Sequence, residues 1–143
     1  MSKGNTFEND LLKLIFNATA IANIADNAAS SPLTNLYVAL HTADPGEAGD
    51  QTTSETAYTG YARVAVARTT GGWTVTANSV SPVANIDFGQ CSASAGGPIT
   101  YASIGVASSA ASKILYSGAL SPSITMAVGV IPRLTTASTI TED

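Results

Sequence analysis

From Thr34 to its end, the chain consists of short runs rich in β-branched and aromatic residues, each bounded by Gly, Ser, Asn or Pro. No helical spacing separates these runs, which argues against βαβ units and favours antiparallel sheets. Eight runs suit the two packed sheets of a jelly roll. The sequence therefore predicts a mainly β fold, a single antiparallel β-sandwich or jelly-roll domain. The predicted strands are 34–42, 60–69, 73–78, 83–88, 98–107, 112–120, 123–132 and 135–141, and the second and third are expected to form a hairpin.

Residues 5–28, before these strands, have the apolar spacing of an amphipathic α-helix. Asn5 is a candidate cap, and Glu8, three residues later, completes a capping box. Two interpretations stay open: a helix that covers its own core, or an arm whose apolar stripe, widened by Leu12 and Phe16, docks on a neighbouring subunit. The predicted division is a helix or arm over residues 1–30 and a β-sandwich over residues 34–143, in one domain overall. The stripe comprises Phe7, Leu11, Leu14, Ile15, Ala18, Ile21, Ala22 and Ala25.

Charge is scarce throughout the chain. Charged residues make up 11% of the 143 residues, and Ser, Thr, Gly and Ala fill the remaining polar and small positions. A surface so poor in charge favours contact with other protein over contact with water alone. The six basic residues form no run and the net charge is −4, so the sequence predicts no nucleic-acid binding.

The sequence also predicts no membrane segment, since no apolar stretch approaches the roughly 20 residues needed to cross a bilayer. The N-terminal run "MSKGNTFENDLLKLIF" mixes acids into its apolar part and lacks the ordered regions of a secretory signal. We therefore expect the chain to be made and kept in the cytoplasm.

His41 ends the run "TNLYVALHT" and is the chain's single histidine. Strand alternation puts it on the face opposite Leu36, Val38 and Leu40, where we expect it to be partly exposed. The following loop, residues 43–59, carries four acids, Asp44, Glu47, Asp50 and Glu55. Their spacing does not match the 12-residue calcium loop, so a solvated acidic loop is favoured over a cation site, which stays open.

No constellation of residues indicates catalysis. One histidine and one cysteine fifty residues apart do not provide a zinc site, and no serine lies in a nucleophile elbow. Cys91 is interpreted as a small side chain at a strand or loop edge, and Trp73 as a core anchor, with a protein-contact role as the alternative. The sequence thus predicts no enzyme, no catalytic residue, no cofactor-binding residue and no metal ligand.

The order of motifs carries a resemblance to a known family. A short helix, "LYVALHTADPGEAG", "GYARVAV", a strand with Trp, "ANIDFG" and "ITYASIGVASSAASKILYSGAL" follow one another over nearly the whole chain. This arrangement resembles small virion proteins of tailed bacteriophages, often labelled tail-fibre-like, and is similar to the jelly-roll cement proteins of some podophage capsids.

The resemblance implies a structural protein of the virion, assembled in the cytoplasm of the bacterial host. As a cement or decoration protein, it would stabilise the head by bridging subunits of the major capsid protein, with copies of itself paired as a homodimer or trimer. The alternative that the resemblance implies is a tail-fibre or tail-associated adhesin, whose partners would be tail proteins or a receptor on the host surface.

Overall fold

The computed structural model describes Lys3, residues 5–21, Ala25 and residues 32–142. It is mainly β, with three antiparallel sheets and one N-terminal helix, which confirms the predicted fold class. The elements are α1 Asn5–Asn17, β1 Asn35–His41, β2 Val64–Ala67, β3 Trp73–Thr76, β4 Ser79–Pro82, β5 Ile86–Asp87, β6 Ile99–Gly105, β7 Ile114–Ile124, β8 Arg133–Leu134 and β9 Ile140–Thr141. The sheet orders are β2-β1-β6-β7, β3-β4-β9 and β5-β8.

The chain divides into two compact units, and it passes between them several times. The first unit comprises Met1–Asn35, Ala67–Asn85 and Leu134–Asp143, and the second comprises Leu36–Val66 and Ile86–Arg133. The division that the sequence suggests, a helix or arm followed by a sandwich, stays a prediction.

The core of the first unit forms where α1 packs on β3 and β4. Phe16 and Trp73 meet edge to face, with their ring centroids 4.9 Å apart, and Trp73 is only 2% exposed. The interpretation of Trp73 as a core anchor is therefore confirmed. The buried face of the helix is centred on Leu12 and Phe16, whereas Phe7, at the centre of the predicted stripe, is 42% exposed.

The helix is shorter than predicted because its last carbonyls are already bound. Ala18 has a φ of 53°, and the Thr19 N–H donates to the Lys13 carbonyl at 3.1 Å, which closes a left-handed helix terminus. The guanidinium of Arg68 donates to the carbonyls of residues 14 and 15, each at 2.5 Å. The predicted continuation through residues 18–21 is thus wrong, and residues 22–24 and 26–28 of the predicted helix lie outside the described part of the chain.

The predicted hairpin between the second and third strands does not form. The predicted partner of β2 is β3, but β2 pairs with β1, and β3 instead turns at Ala77 and Asn78 to pair with β4. β4, with the sequence "SVSP", lies between the predicted strands 73–78 and 83–88, and its Val80 is 2% exposed and lies in the core.

The later strands also differ from the prediction. The sequence predicts separate strands at 112–120 and 123–132, but β7 is continuous through Pro122 to Ile124 and residues 125–132 are irregular. The peptide bond between Ser121 and Pro122 is cis. The final predicted strand shrinks to β9, two residues long.

Candidate functional site: a buried polar cluster beneath the acidic loop

His41 lies at the end of β1, on a strand that is buried on both faces. It is 0% exposed, and so is Ala39 on the same face, so the expected partial exposure of His41 is wrong. The reason is that the acidic loop folds back over this face. The Thr42 N–H donates to the Ser54 carbonyl and the Thr56 N–H donates to the Leu40 carbonyl, both at 2.9 Å.

Both nitrogens of the His41 ring are engaged inside the fold. Nδ1 lies 2.9 Å from the Thr53 carbonyl, to which it donates, and Nε2 lies 2.8 Å from the hydroxyl of Ser103. In the neutral ring with its proton on Nδ1, Nε2 accepts a hydrogen bond from the Ser103 hydroxyl. Burial holds the pKa of His41 below its ordinary value, which favours this neutral form.

The pair of Ser103 and His41 has the spacing of a nucleophile and its base, but both side chains are buried in the described part of the chain. Ser103 is 2% exposed, so its hydroxyl oxygen is covered by the fold. The sequence did not point to Ser103, which is 62 positions away from His41. The missing signal is the antiparallel pairing of β1 with β6, which sets Ala39 opposite Ser103 and His41 opposite Tyr101 and so puts all four side chains on one face.

Arg63 is the centre of the polar cluster, and its side chain is 2% exposed. Its Nε and Nη2 donate to the two carboxylate oxygens of Glu55 at 2.7 and 2.8 Å. Further bonds from the guanidinium reach the carbonyls of Ala107 at 3.0 Å and Ala110 at 2.9 Å and the hydroxyl of Ser112 at 3.2 Å. One guanidinium therefore joins the acidic loop to the segment between β6 and β7, which we name the 107–112 turn.

Two further side chains complete the cluster. The Tyr61 hydroxyl donates to Glu55 at 2.8 Å and accepts from the Leu40 N–H at 3.1 Å, and burial raises the pKa of Tyr61 far above its ordinary value. Gln51 is fully buried, and its amide donates to the Tyr37 carbonyl at 3.0 Å. Because these polar groups form hydrogen bonds with one another, the cluster fixes the geometry of the loop. The sequence analysis does not identify Arg63, Gln51 or Ser103 as members of a site.

The four acids of the loop do not converge on a cation site. Glu55 binds Arg63, and Asp50 accepts from the Thr52 N–H and hydroxyl, bonds that lower the pKa of Asp50. Asp44 accepts from the Gly46 N–H at 2.9 Å. Within the described residues, no three His, Cys, Asp or Glu side chains group closely enough to hold a metal ion. The expectation of a solvated acidic loop holds for its tip, where Asp44 and Glu47 are exposed, but Gln51, Thr53 and Glu55 bind residues of the sheet.

Cys91 lies in the segment after β5 and is 0% exposed, with its Sγ 3.6 Å from the Ser94 carbonyl. The thiol thus packs as a small core side chain. In the described ranges, no helix has the length and apolar character that spanning a membrane requires.

A comparison with protein families gives one informative match. The family model described as podophage GP4 fiber I protein gp80 matches residues 2–141, whereas no curated protein matches the chain. The match supports the predicted class, a structural protein that is part of a phage virion. Because it extends over nearly all of the 143 residues, the chain belongs to the family of the podophage GP4 fiber I protein gp80.

Proposed function

We propose that the chain is a fibre component of a podophage virion, and that it works by binding neighbouring virion proteins rather than by catalysis. The observation that carries the proposal is the family match over residues 2–141, whose description names a fiber protein. The low share of charged residues, 11%, is consistent with a surface of which a large part contacts other proteins.

The buried polar cluster supports the non-catalytic part of the proposal. The imidazole of His41 has both nitrogens occupied by internal partners, and its pKa is lowered by burial. A general base must reach a proton on a bound substrate, whereas the two nitrogens of this imidazole are already bonded to the Thr53 carbonyl and the Ser103 hydroxyl. We expect His41→Ala to lower the stability of the fold. Any loss of infectivity in this variant should follow from misfolding and not from a lost catalytic step.

Capsid cement is the second candidate, because a low-charge surface also suits a protein that bridges subunits of the major capsid protein. In that role each copy adds a modest interface, and many copies together raise the resistance of the shell to rupture. Copies of the chain paired as dimers or trimers fit either role.

The two roles differ in what a particle loses without the chain. We expect phage that lack the gene for this protein to package DNA into heads that withstand heat and osmotic shock as wild-type heads do, but to adsorb poorly to the host. Cryo-EM of wild-type virions should place density for the chain at the tail. Heads that burst while adsorption stays normal, with density over the capsid lattice, would favour cement and overturn the fibre role.

A further inference from the structure

β5 and β8 form a two-stranded sheet, and their pairing continues beyond the strands to a tight turn. We name residues 86–91 and 127–133, which all belong to the second unit, the ribbon. Its pairing continues through the Phe88 N–H, which donates to the Pro132 carbonyl at 3.0 Å. One face of the ribbon lies in the core, where Phe88, Cys91 and Pro132 are buried. Because side chains alternate along a strand, the residues between these point to the opposite, exposed face.

The turn at the end of the ribbon exposes apolar side chains. The Val130 N–H donates to the Ala127 carbonyl at 3.1 Å, and Gly129 has a φ of 92°, which is the geometry of a type II turn. Such a turn favours glycine at its third position but accepts most residues at its second, here Val128. Val128 is 65% exposed and Ile131 is 51% exposed. Two exposed aliphatic side chains within four residues form an apolar patch that contact with another protein would cover.

The charges beside this apolar patch compensate each other. Asp87 and Arg133 form a bidentate ion pair across the ribbon, and both side chains are partly exposed. Lys113 is the only charged residue in the sequence between Phe88 and Pro132. The exposed face of the ribbon therefore combines an apolar patch with one carboxylate and one guanidinium side by side, and these two groups together carry no net charge.

This pattern of charge is complementary to itself. A twofold axis along the ribbon exchanges the positions of β5 and β8, so the Asp87 carboxylate of each copy faces the Arg133 guanidinium of the other. We propose that the exposed face of the ribbon is the contact between two copies of this chain, with the apolar patches packed together and Val128 of each copy next to the axis. A partner with charge of one sign compensates only one of the two groups, so charge favours a second copy. The inference rests on the proposed role as a virion structural protein and assigns a surface to its self-association.

The first test is the mass of the purified chain as a function of concentration, measured by analytical ultracentrifugation. Because the apolar patch is small, we expect dimers with a Kd of roughly 10–100 μM. Val128→Lys sets like charges against each other at the axis and should raise this Kd at least about tenfold. Val83→Lys is the matched control, since Val83 is an exposed valine in the other unit, and it should dimerise as wild type does. Wild-type protein that stays monomeric up to about 1 mM or forms a trimer, or equal dimerisation of the two variants, would overturn the inference.

Crosslinking provides the second test, because it locates the contact. Val128→Cys introduces a thiol at the turn, whereas the native thiol of Cys91 is buried. With a short bismaleimide, we expect Val128→Cys to form covalent dimers at concentrations at which the wild type dimerises, and Val83→Cys to stay monomeric. A yield of dimer from Val128→Cys no higher than that from Val83→Cys would contradict the proposed contact. A chain that dimerises through the ribbon but is absent from purified virions would instead overturn the proposed function and leave this contact intact, so the two failures are distinct.

Discussion

Replacement of Arg63 by Met tests the claim that one guanidinium holds the acidic loop. The change removes both hydrogen bonds from the guanidinium to the Glu55 carboxylate. It also removes the hydrogen bonds from the guanidinium to the carbonyls of Ala107 and Ala110. Removing one partner of a buried ion pair costs about 3–5 kcal/mol. Because the Glu55 side chain stays 16% exposed and can regain some water, we expect a loss near the lower end, about 3 kcal/mol.

Urea unfolding, followed by fluorescence of the single tryptophan and by circular dichroism, measures this loss. With a slope of about 1.5 kcal/mol per molar urea, a loss of about 3 kcal/mol lowers the midpoint by about 2 M. The double variant Arg63→Met with Glu55→Gln should recover part of the stability, since it no longer buries an unpaired carboxylate.

The control is Arg133→Met, which breaks the second bidentate pair between arginine and a carboxylate. Its side chain and that of Asp87 are 53% and 48% exposed, so water and salt already screen the pair and we expect little change. If Arg63→Met were no more harmful than Arg133→Met, the loop would not depend on the buried guanidinium and the reasoning would be refuted.

Three further predictions concern the core beneath the loop and the helix. Gly105→Ala should destabilise by about 1–3 kcal/mol, because its Cβ would lie 2.1 Å from Gln51, whereas Gly118→Ala, with open space around it, should be neutral in the same urea titration. Phe16→Ala should cost about 3–5 kcal/mol and shift the emission of the single tryptophan to longer wavelength; unchanged emission would contradict the packing of α1. Burial holds the pKa of His41 below 6.5, so the unfolded chain takes up this proton first as the pH falls. Stability should therefore decrease below about pH 6.5, and this dependence should flatten in His41→Gln.

The sequence was a good guide wherever local pattern decides structure. Alternating apolar residues identified β1, and a large aromatic among small residues identified Trp73 as core. It failed where a distant partner decides. The sequence near residue 17 does not indicate that Arg68 binds the end of the helix. The sequence "SVSP" does not indicate that this segment pairs with β3.

The same limit explains the candidate site. A histidine at a strand end next to an acidic loop has the local pattern of an exposed residue. Its burial depends on Gln51, Thr53 and Glu55 returning to the sheet, and on Arg63 supplying the charge that allows Glu55 to do so. These contacts join residues 8 to 14 positions apart, so strand alternation alone does not predict them.

The guanidinium that joins two surface loops restricts where this fold accepts inserted sequence. Exposed turns are ordinarily the places where a foreign epitope or a tag is tolerated. Residues 108–111 form such an exposed turn, but the carbonyls of Ala107 and Ala110 accept hydrogen bonds from Arg63. Lengthening this turn would therefore loosen residues 50–55 as well, and a peptide grafted there would alter a part of the protein that it does not touch.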